Sequence, residues 1–361
     1  MRNYFLIFVL LANSLGLGSP VTEDDKKQAA EIDTELGALP VIFSTPETGL
    51  ALGGVAIYVP SSFAKKAEPV ITGLMYTEKK QFLWALGTRQ SLPDSSIDYV
   101  VYAEILDFPQ KFYGIGDETK QDDEQVIKEQ RVLGQGGFIF PVTQNWGLGV
   151  QIKWRDDSFE LVDQRSSTID PRGLVGFHGG KQLGFGVSLE KETTDDPFYP
   201  EGGYRMQFAH WRFDEGLGSR YPFNYSLIHT RLYQKLSKRW TLASRFFLKA
   251  YSGEVPFYQL AKLGGHDLLR GYFKGRYRDT ALSVFETEGR YRFHKRFSFV
   301  TFAGAGNVAE SISDLVKNDV LPSFGGGVRY QITAKQKINL RADIGVGRHG
   351  PQFYLYVLEA F

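Results

Sequence analysis

The chain has 361 residues, with 42 Lys and Arg against 41 Asp and Glu, so no dominant basic charge points to a nucleic-acid partner. It has no cysteine, which excludes a disulfide scaffold and fits an exported protein built without one. A content of 39 Gly, 28 Phe, 19 Tyr and 5 Trp at a middling 42% hydrophobic residues is unusual for a soluble enzyme. It suits a protein with one apolar face, one polar face and aromatic belts.

In chain order, the first element is a targeting signal. Arg2 supplies a positive start, Tyr4 to Ala12 (YFLIFVLLA) is apolar, and Gly16-Leu17-Gly18 places small residues where cleavage after Gly18 is expected. The apolar run is too short to cross about 30 Å of hydrocarbon, so residues 1–18 read as a signal peptide and not as a membrane helix. No later segment is apolar for long enough to be one. Residues 19–37 are polar and charged, a short periplasmic lead-in with no room for a folded domain. Residues 38–361 are expected to form the main domain.

From Leu39 onward the apolar residues alternate with a period of two, which marks strands with two different faces. Trp146, Leu148, Val150, Ile152 and Trp154 alternate with Gly147, Gly149, Gln151, Lys153 and Arg155. Phe285, Thr287, Gly289, Tyr291 and Phe293 alternate with Glu286, Glu288, Arg290 and Arg292. Ile338, Leu340, Ala342, Ile344 and Val346 face away from Asn339, Arg341 and Asp343. The pattern predicts strands over 39–46, 48–60, 69–79, 81–91, 96–106, 131–142, 145–157, 182–193, 203–214, 222–236, 239–252, 280–293, 296–308, 321–333, 336–347 and 351–361.

Alternation fits both a soluble sandwich and a membrane barrel. Three features favour the barrel. Most of these strands run about 10 residues or more, against about 5–6 in soluble proteins. Aromatics gather near strand ends, as membrane belts require. The chain also ends in a strand closed by Phe361, a C-terminal barrel signal, with a secretory signal at its other end. The expected fold is therefore all-β: a transmembrane antiparallel β-barrel of about sixteen strands in a Gram-negative-type outer membrane. An even number suits a single-chain barrel.

The connections divide in the same sense. Short links at Pro93-Asp94-Ser95, Thr143-Gln144, Ser237-Lys238, His294-Lys295 and Ala334-Lys335 mark a periplasmic rim, although 61–68 and 194–202 on that rim are longer. Long ones at 107–130, 158–181, 253–279 and 309–320 mark the outside. Sixteen strands enclose a lumen too wide for side chains to fill. The segment 253–279 is the best candidate to fold inward and plug it.

That segment carries Leu263-Gly264-Gly265, Leu269-Arg270-Gly271-Tyr272 and Gly275-Arg276-Tyr277. Together these resemble the loop signature of the bacterial surface antigen family, the BamA/TamA-like outer-membrane assembly and translocation barrels. There an Arg-Gly-Phe/Tyr tip follows the eleventh strand and folds into the lumen, and alternation alone also puts this loop after the eleventh strand. Glu288-Gly289-Arg290 resembles the family's Glu-x-Arg on the twelfth strand, and Phe302 to Val308 (FAGAGNV) its Phe-x-Asp-x-Gly on the thirteenth. Asp195 with Pro200-Glu201-Gly202-Gly203 resembles the periplasmic turn after the eighth strand, and Pro46 to Gly53 the opening hairpin.

The resemblance implies a lumenal latch in which Arg270, at the tip with Gly271 and Tyr272, pairs with Glu288. Glu286 shares that face and Phe302 lies on the next strand. A lumenal arginine needs a partner or water, and an arginine–carboxylate fork fixes direction as well as adding energy. Two positions depart from the family: Gly304 stands where an Asp is usual, with Glu286 expected to compensate, and Thr194 stands where an Arg is usual. The lead-in has no room for the periplasmic POTRA repeats, so the chain resembles the family's short members. The partners implied are outer-membrane lipids, the outer-membrane assembly machinery during biogenesis, and client proteins the sequence does not name.

Other candidates carry less. The six histidines (His178, His210, His229, His266, His294, His349) show no metal-like spacing, and neither a metal nor a cofactor is expected. Asp156-Asp157 and Asp195-Asp196 read as solvated turn residues before catalytic pairs, so an enzyme is the least expected reading. Gly134 to Gly137 and Gly325 to Gly327 lie on strands and are not phosphate loops. His294-Lys295-Arg296 and Lys335-Gln336-Lys337 read as solvated turns before lipid contacts. The resemblance implies a barrel that aids insertion or translocation of membrane proteins or lipids, as family members are thought to do by loosening the seam between first and last strands; the alternative is a passive pore or structural protein on the same fold.

Overall fold

Strands with one apolar and one polar face bury both if the sheet curls shut with the polar face inside. The computed structural model, which describes residues 35–59, 70–93, 95–164, 169–196, 198–332 and 337–361, does so. The strands are β1 (Glu35–Thr45), β2 (Gly49–Val59), β3 (Val70–Thr77), β4 (Phe82–Ser91), β5 (Asp98–Phe112), β6 (Gln125–Thr143), β7 (Trp146–Gln164), β8 (Gly180–Glu192) and β9 (Gly203–Phe213). They continue as β10 (Phe223–Lys235), β11 (Trp240–Gly253), β12 (Ala261–Leu263), β13 (Tyr277–Asp279), β14 (Ala281–Arg292), β15 (Phe297–Ala309), β16 (Leu321–Gln331), β17 (Asn339–Gly347) and β18 (Gly350–Val357). All but β12 and β13 join one closed antiparallel barrel of sixteen strands. β12 and β13 pair only with each other, as a small hairpin inside the segment between β11 and β14.

The two faces separate as the alternation requires. On β14, Glu286, Glu288 and Arg290 are buried inside the barrel, while Phe285 is 53% exposed outside. On β17, Arg341 and Asp343 are fully buried, while Ile344 stands exposed on the outer face. Phe138, Trp154, Phe185, Phe246, Phe299 and Phe324 belong to the same exposed apolar exterior, the surface a lipid-facing barrel presents.

Several boundaries differ from the sequence reading. β5, β6 and β7 run on to Phe112, back to Gln125 and on to Gln164. Their extensions carry Lys111, Lys128, Gln130, Glu160 and Asp163, polar on both faces, so the alternation disappears although the hydrogen-bonded ladder continues. β1 begins at Glu35, ahead of the expected start. The final strand stops at Val357, not at Phe361: Leu358 takes a positive φ of 77° and turns the chain into the lumen. Phe361 is accordingly buried, with the Arg245 guanidinium 4.5 Å over its ring. The expected signal peptide and most of the lead-in lie outside the described residues, as do 61–68, Asp94 and Ala334-Lys335.

Ladder length is uneven around the barrel. β6 and β7 pair from Gln125 opposite Gln164 to Thr143 opposite Trp146. At the closure, β1 and β18 share a single register pair, Ser44 opposite Leu355. An edge-to-face contact between Phe43 and Tyr356 at 5.4 Å supports the closure from inside.

Candidate functional site: the lumenal loop and its seat

The segment between β11 and β14 turns down into the lumen, and glycine makes the path possible. Gly264, Gly265, Gly271 and Gly275 all have positive φ, a conformation that costs other residues strain. At Gly271 contact adds to conformation: a Cβ there would lie 2.7 Å from the Val346 carbonyl carbon. Across the contact, a Cβ at Gly345 would lie 2.7 Å from the Gly271 nitrogen. Loop backbone therefore rests directly on β17 backbone.

Arg270 is fully buried at the tip. Its Nη2 donates to Glu288 Oε2 at 2.6 Å and its Nη1 to Asp343 Oδ2 at 2.8 Å. Its guanidinium carbon lies 3.5 Å from the centre of the Phe302 ring. Each carboxylate is also shared. Glu288 accepts from Arg290 Nε at 2.8 Å, and Asp343 pairs with Arg329 at 2.5 Å and Arg341 at 3.4 Å. Arg329 in turn reaches Glu359 at 2.7 Å. Buried ions in such a network are tolerable only because each is paired and hydrogen-bonded.

The tip is fastened by neutral groups as well. Gly271 N donates to Tyr354 Oη at 3.0 Å, and Tyr354 Oη donates to the Tyr272 carbonyl at 3.3 Å. Tyr272 Oη donates to the Pro322 carbonyl at 2.8 Å, and Ser323 Oγ donates to the Arg270 carbonyl. His266 packs on the Tyr356 ring with centroids 4.0 Å apart. Tyr354 and Tyr356 belong to β18, so the tip grips the strand that forms one side of the short seam.

Glu286 has a different task from the one expected. It pairs with Arg245 and accepts the Leu269 backbone N–H at 3.0 Å. The second carboxylate for Arg270 is Asp343, which the sequence reading placed on the correct face of its strand without giving it a role. The unusual Gly304 has a steric reason: a Cβ there would lie 2.5 Å from Glu286 Cγ and 3.2 Å from Leu269 Cδ1. An aspartate has no room where Glu286 and Leu269 meet.

The turn after β8 joins the same network. Asp195 Oδ1 accepts the Glu201 and Gly202 backbone N–H groups at 2.9 and 3.1 Å. Gly203, with φ of 91°, fits where a Cβ would lie 2.3 Å from the Thr193 carbonyl oxygen. The Pro200 carbonyl accepts from Arg290 at 3.4 Å, and the Phe361 carbonyl accepts from the same guanidinium at 2.7 Å. Arg290 thus ties the turn and the inward-folded chain end to Glu288. Thr194 donates its hydroxyl to Glu192 and accepts from Arg205.

In the loop itself, burial lowers the His266 pKa to about 3, with Lys274 and Arg341 adding to the shift and Asp267 opposing it. His266 is therefore neutral when seated. Burial opposes ionisation of Asp267 too, but Lys274 and its other neighbours outweigh it and hold the carboxyl below its usual range. Among the described residues, no group of three or more His, Asp or Glu is placed to hold a metal.

A closed sixteen-strand barrel with an inward-folded, arginine-tipped loop defines a class of outer-membrane-type barrel. The profile of the Omp85 superfamily domain matches residues 72–346, and the chain belongs to that superfamily. Its members are outer-membrane proteins, and this barrel fits that setting. A search of curated protein sequences finds no match.

Among solved structures, the fold is similar to BamA from Haemophilus ducreyi lacking POTRA domains 1–3. The TM-score is 0.61 at 13% identity, over 92% of this chain and 76% of that one. It is also similar to CdiB from Escherichia coli, with TM-score 0.62 at 11% identity over 90% of this chain and 62% of that one. For CdiB from Acinetobacter baumannii the TM-score is 0.58 at 12% identity over 90% and 59%. The chain thus spans less than two thirds of either CdiB chain. At these identities the likeness speaks for the fold alone.

Proposed function

We propose that this protein is an integral barrel of a bacterial outer membrane, exported on the signal at residues 1–18, that aids insertion or translocation of membrane proteins or lipids. The observation that carries this reading is the placement of the loop tip. Arg270 is held to Glu288 and Asp343 while Gly271 and Tyr272 engage Tyr354 on β18. β18 meets β1 through one register pair. In this reading the loop is a latch: seated, it braces the β18 side of the seam; released, it frees that strand to part from β1 beside the lipid. The short-turn rim faces the periplasm, and the turn carrying Asp195, Pro200 and Gly203 meets the Glu288 network there through Arg290. Outer-membrane lipids and the assembly machinery are its partners.

A passive-pore reading draws on a different observation. The inward side chains of Gln151, Arg231 and Lys249 keep partial exposure. Two measurements separate the readings. Folding of a client barrel into liposomes is expected to be faster when the purified protein is present. In a strain depleted of the protein, outer-membrane protein levels are expected to fall. Unchanged folding rates and unchanged levels, together with a large steady conductance in planar bilayers, would favour the pore.

A further inference from the structure

Above the loop tip, on the rim of long connections, lies a cleft of about 270 Å³ between the segment joining β5 to β6 and the tip itself. The Gly116 N–H donates to the Arg278 carbonyl at 2.9 Å and closes the two segments on each other. Aromatic rings of Tyr113, Tyr272 and Phe273 form much of the wall, and the amides of Gln121 and Gln352 face the space. Lys111, Arg276 and His349 are the ionisable cations and bases at its edge, and among the described residues no acidic side chain lines it.

The charge there is only partly balanced. Lys111 is satisfied by Glu124, which also accepts from Tyr113 Oη. Arg276 is 4% exposed and, among the described residues, makes no ion pair. Its Nη atoms donate to the Thr119 hydroxyl and carbonyl at 2.6 and 2.7 Å, its Nε has no partner, and its guanidinium lies between the Tyr113 and Tyr277 rings. A buried cation is costly unless its charge is answered, and Asp123 acts on Arg276 only from a distance, without an ion pair. An anion in the adjoining cleft supplies a direct counter-charge.

We propose that this cleft binds a sugar phosphate. The phosphate answers the charge of Arg276. The ring carbons pack on the aromatic wall, and the Gln121 and Gln352 amides, each both donor and acceptor, suit hydroxyl groups. The volume lies just under the about 300–1,000 Å³ of small-molecule pockets, so one sugar-sized unit fills it. Because Gly271 and Tyr272 belong to the cleft, an occupant also braces the seated loop. His349 reports on the same charge. Burial, Arg276 and Arg348 lower its pKa, and a bound phosphate raises it again.

The test is calorimetric titration of the full chain in detergent micelles with glucose 6-phosphate, using glucose and inorganic phosphate as comparisons. Glucose 6-phosphate is expected to bind at least about tenfold more tightly than glucose and to raise both the unfolding temperature and the His349 pKa read by NMR. Arg276→Gln is expected to weaken binding about tenfold or more, and Arg276→Lys to retain most of it. Gln121→Ala, on the opposite wall and outside the hairpin, is expected to weaken it by a smaller factor if the fold does not tolerate Arg276→Gln. Repeating the titration in nanodiscs carrying a phosphorylated glycolipid separates two sources. Competition there identifies a lipid-borne sugar phosphate, and an unchanged affinity identifies a free one. No binding of glucose 6-phosphate, or binding that is equal in the wild type and in the Arg276→Gln and Gln121→Ala variants, overturns the proposal.

Discussion

The β6–β7 ladder and the β1–β18 seam are built from the same chemistry to opposite ends. β6 and β7 continue their pairing from one rim to the other, and their inner faces are held by charges of their own. Arg131 pairs with Glu104 and Glu129 at 2.5 and 2.7 Å, and Arg155 with Asp157 at 2.5 Å. The loop packs here too, with Phe257 and Tyr258 against Phe159 and Tyr258 under Arg155, but the backbone ladder of this wall is continuous without it. The seam has one register pair, a phenylalanine–tyrosine contact and whatever the loop adds through Tyr354 and Tyr356. In the latch reading proposed above, the seam is the joint at which this barrel opens, because its ladder is short and part of its support comes from the loop tip.

The largest expected effect comes from locking each wall separately. The chain has no cysteine, so Ser44→Cys with Leu355→Cys places an engineered disulfide across the seam at paired positions, and Val132→Cys with Asp156→Cys places one across β6–β7. The seam disulfide is expected to abolish assisted folding of a client barrel until reductant is added, and the β6–β7 disulfide to leave it unchanged. Equal rates for both would show that the seam does not open during assisted folding.

Next in size is Arg270→Ala. It leaves the Glu288 and Asp343 carboxylates buried beside fewer cations, a loss on the order of 3–5 kcal/mol for breaking a buried pair. Limited proteolysis is expected to cut within 264–280 in the variant and to spare the wild type, with the β6–β7 wall resistant in both. Gly304→Asp, which restores the residue usual in the family, is expected to destabilise by at least about 1–3 kcal/mol through overpacking against Glu286 and Leu269. Thermal unfolding in detergent measures it, and an unchanged midpoint would contradict the steric account.

The smallest effect is that of pH. The seated His266 has its pKa lowered to about 3, against about 6.5 when free. Its depressed pKa favours the seated loop fully above pH 6.5, and this contribution is lost as pH falls from there toward 3. His349, also lowered, acts in the same direction. The unfolding midpoint is expected to drop between pH 7 and 4.5, and to drop less in His266→Phe, which keeps a ring against Tyr356. A flat profile in the wild type would count against a neutral, buried His266.

Much of this is legible in the residues alone. Two-residue periodicity yields the two faces, the sixteen barrel strands and the alternation of tight and long connections, because each follows from one face meeting lipid and the other a lumen. The outer parts of β5–β7 are not legible, since side chains there meet polar surroundings on both sides and leave no alternation to read. The β12–β13 hairpin escapes because three-residue strands carry no period. Arg270 and Glu288 stand out through a motif, but Asp343 does not. It lies far along the chain, and its signal is only that Arg341 and Asp343 put opposite charges on the inward face of one strand. Asking which inward acids lie within reach of an inward-folded arginine would find it. The turn of Phe361 into the lumen rests on the positive φ of Leu358, which no pattern of polarity announces.

The most direct test of the central claim, that Arg270 holds the loop seated and thereby braces the seam, is single-channel conductance of the wild type and Arg270→Ala in planar bilayers. With the loop held by Arg270, the wild type is expected to show a small conductance and the variant a larger, fluctuating one. A large and steady conductance that is the same in both would contradict it.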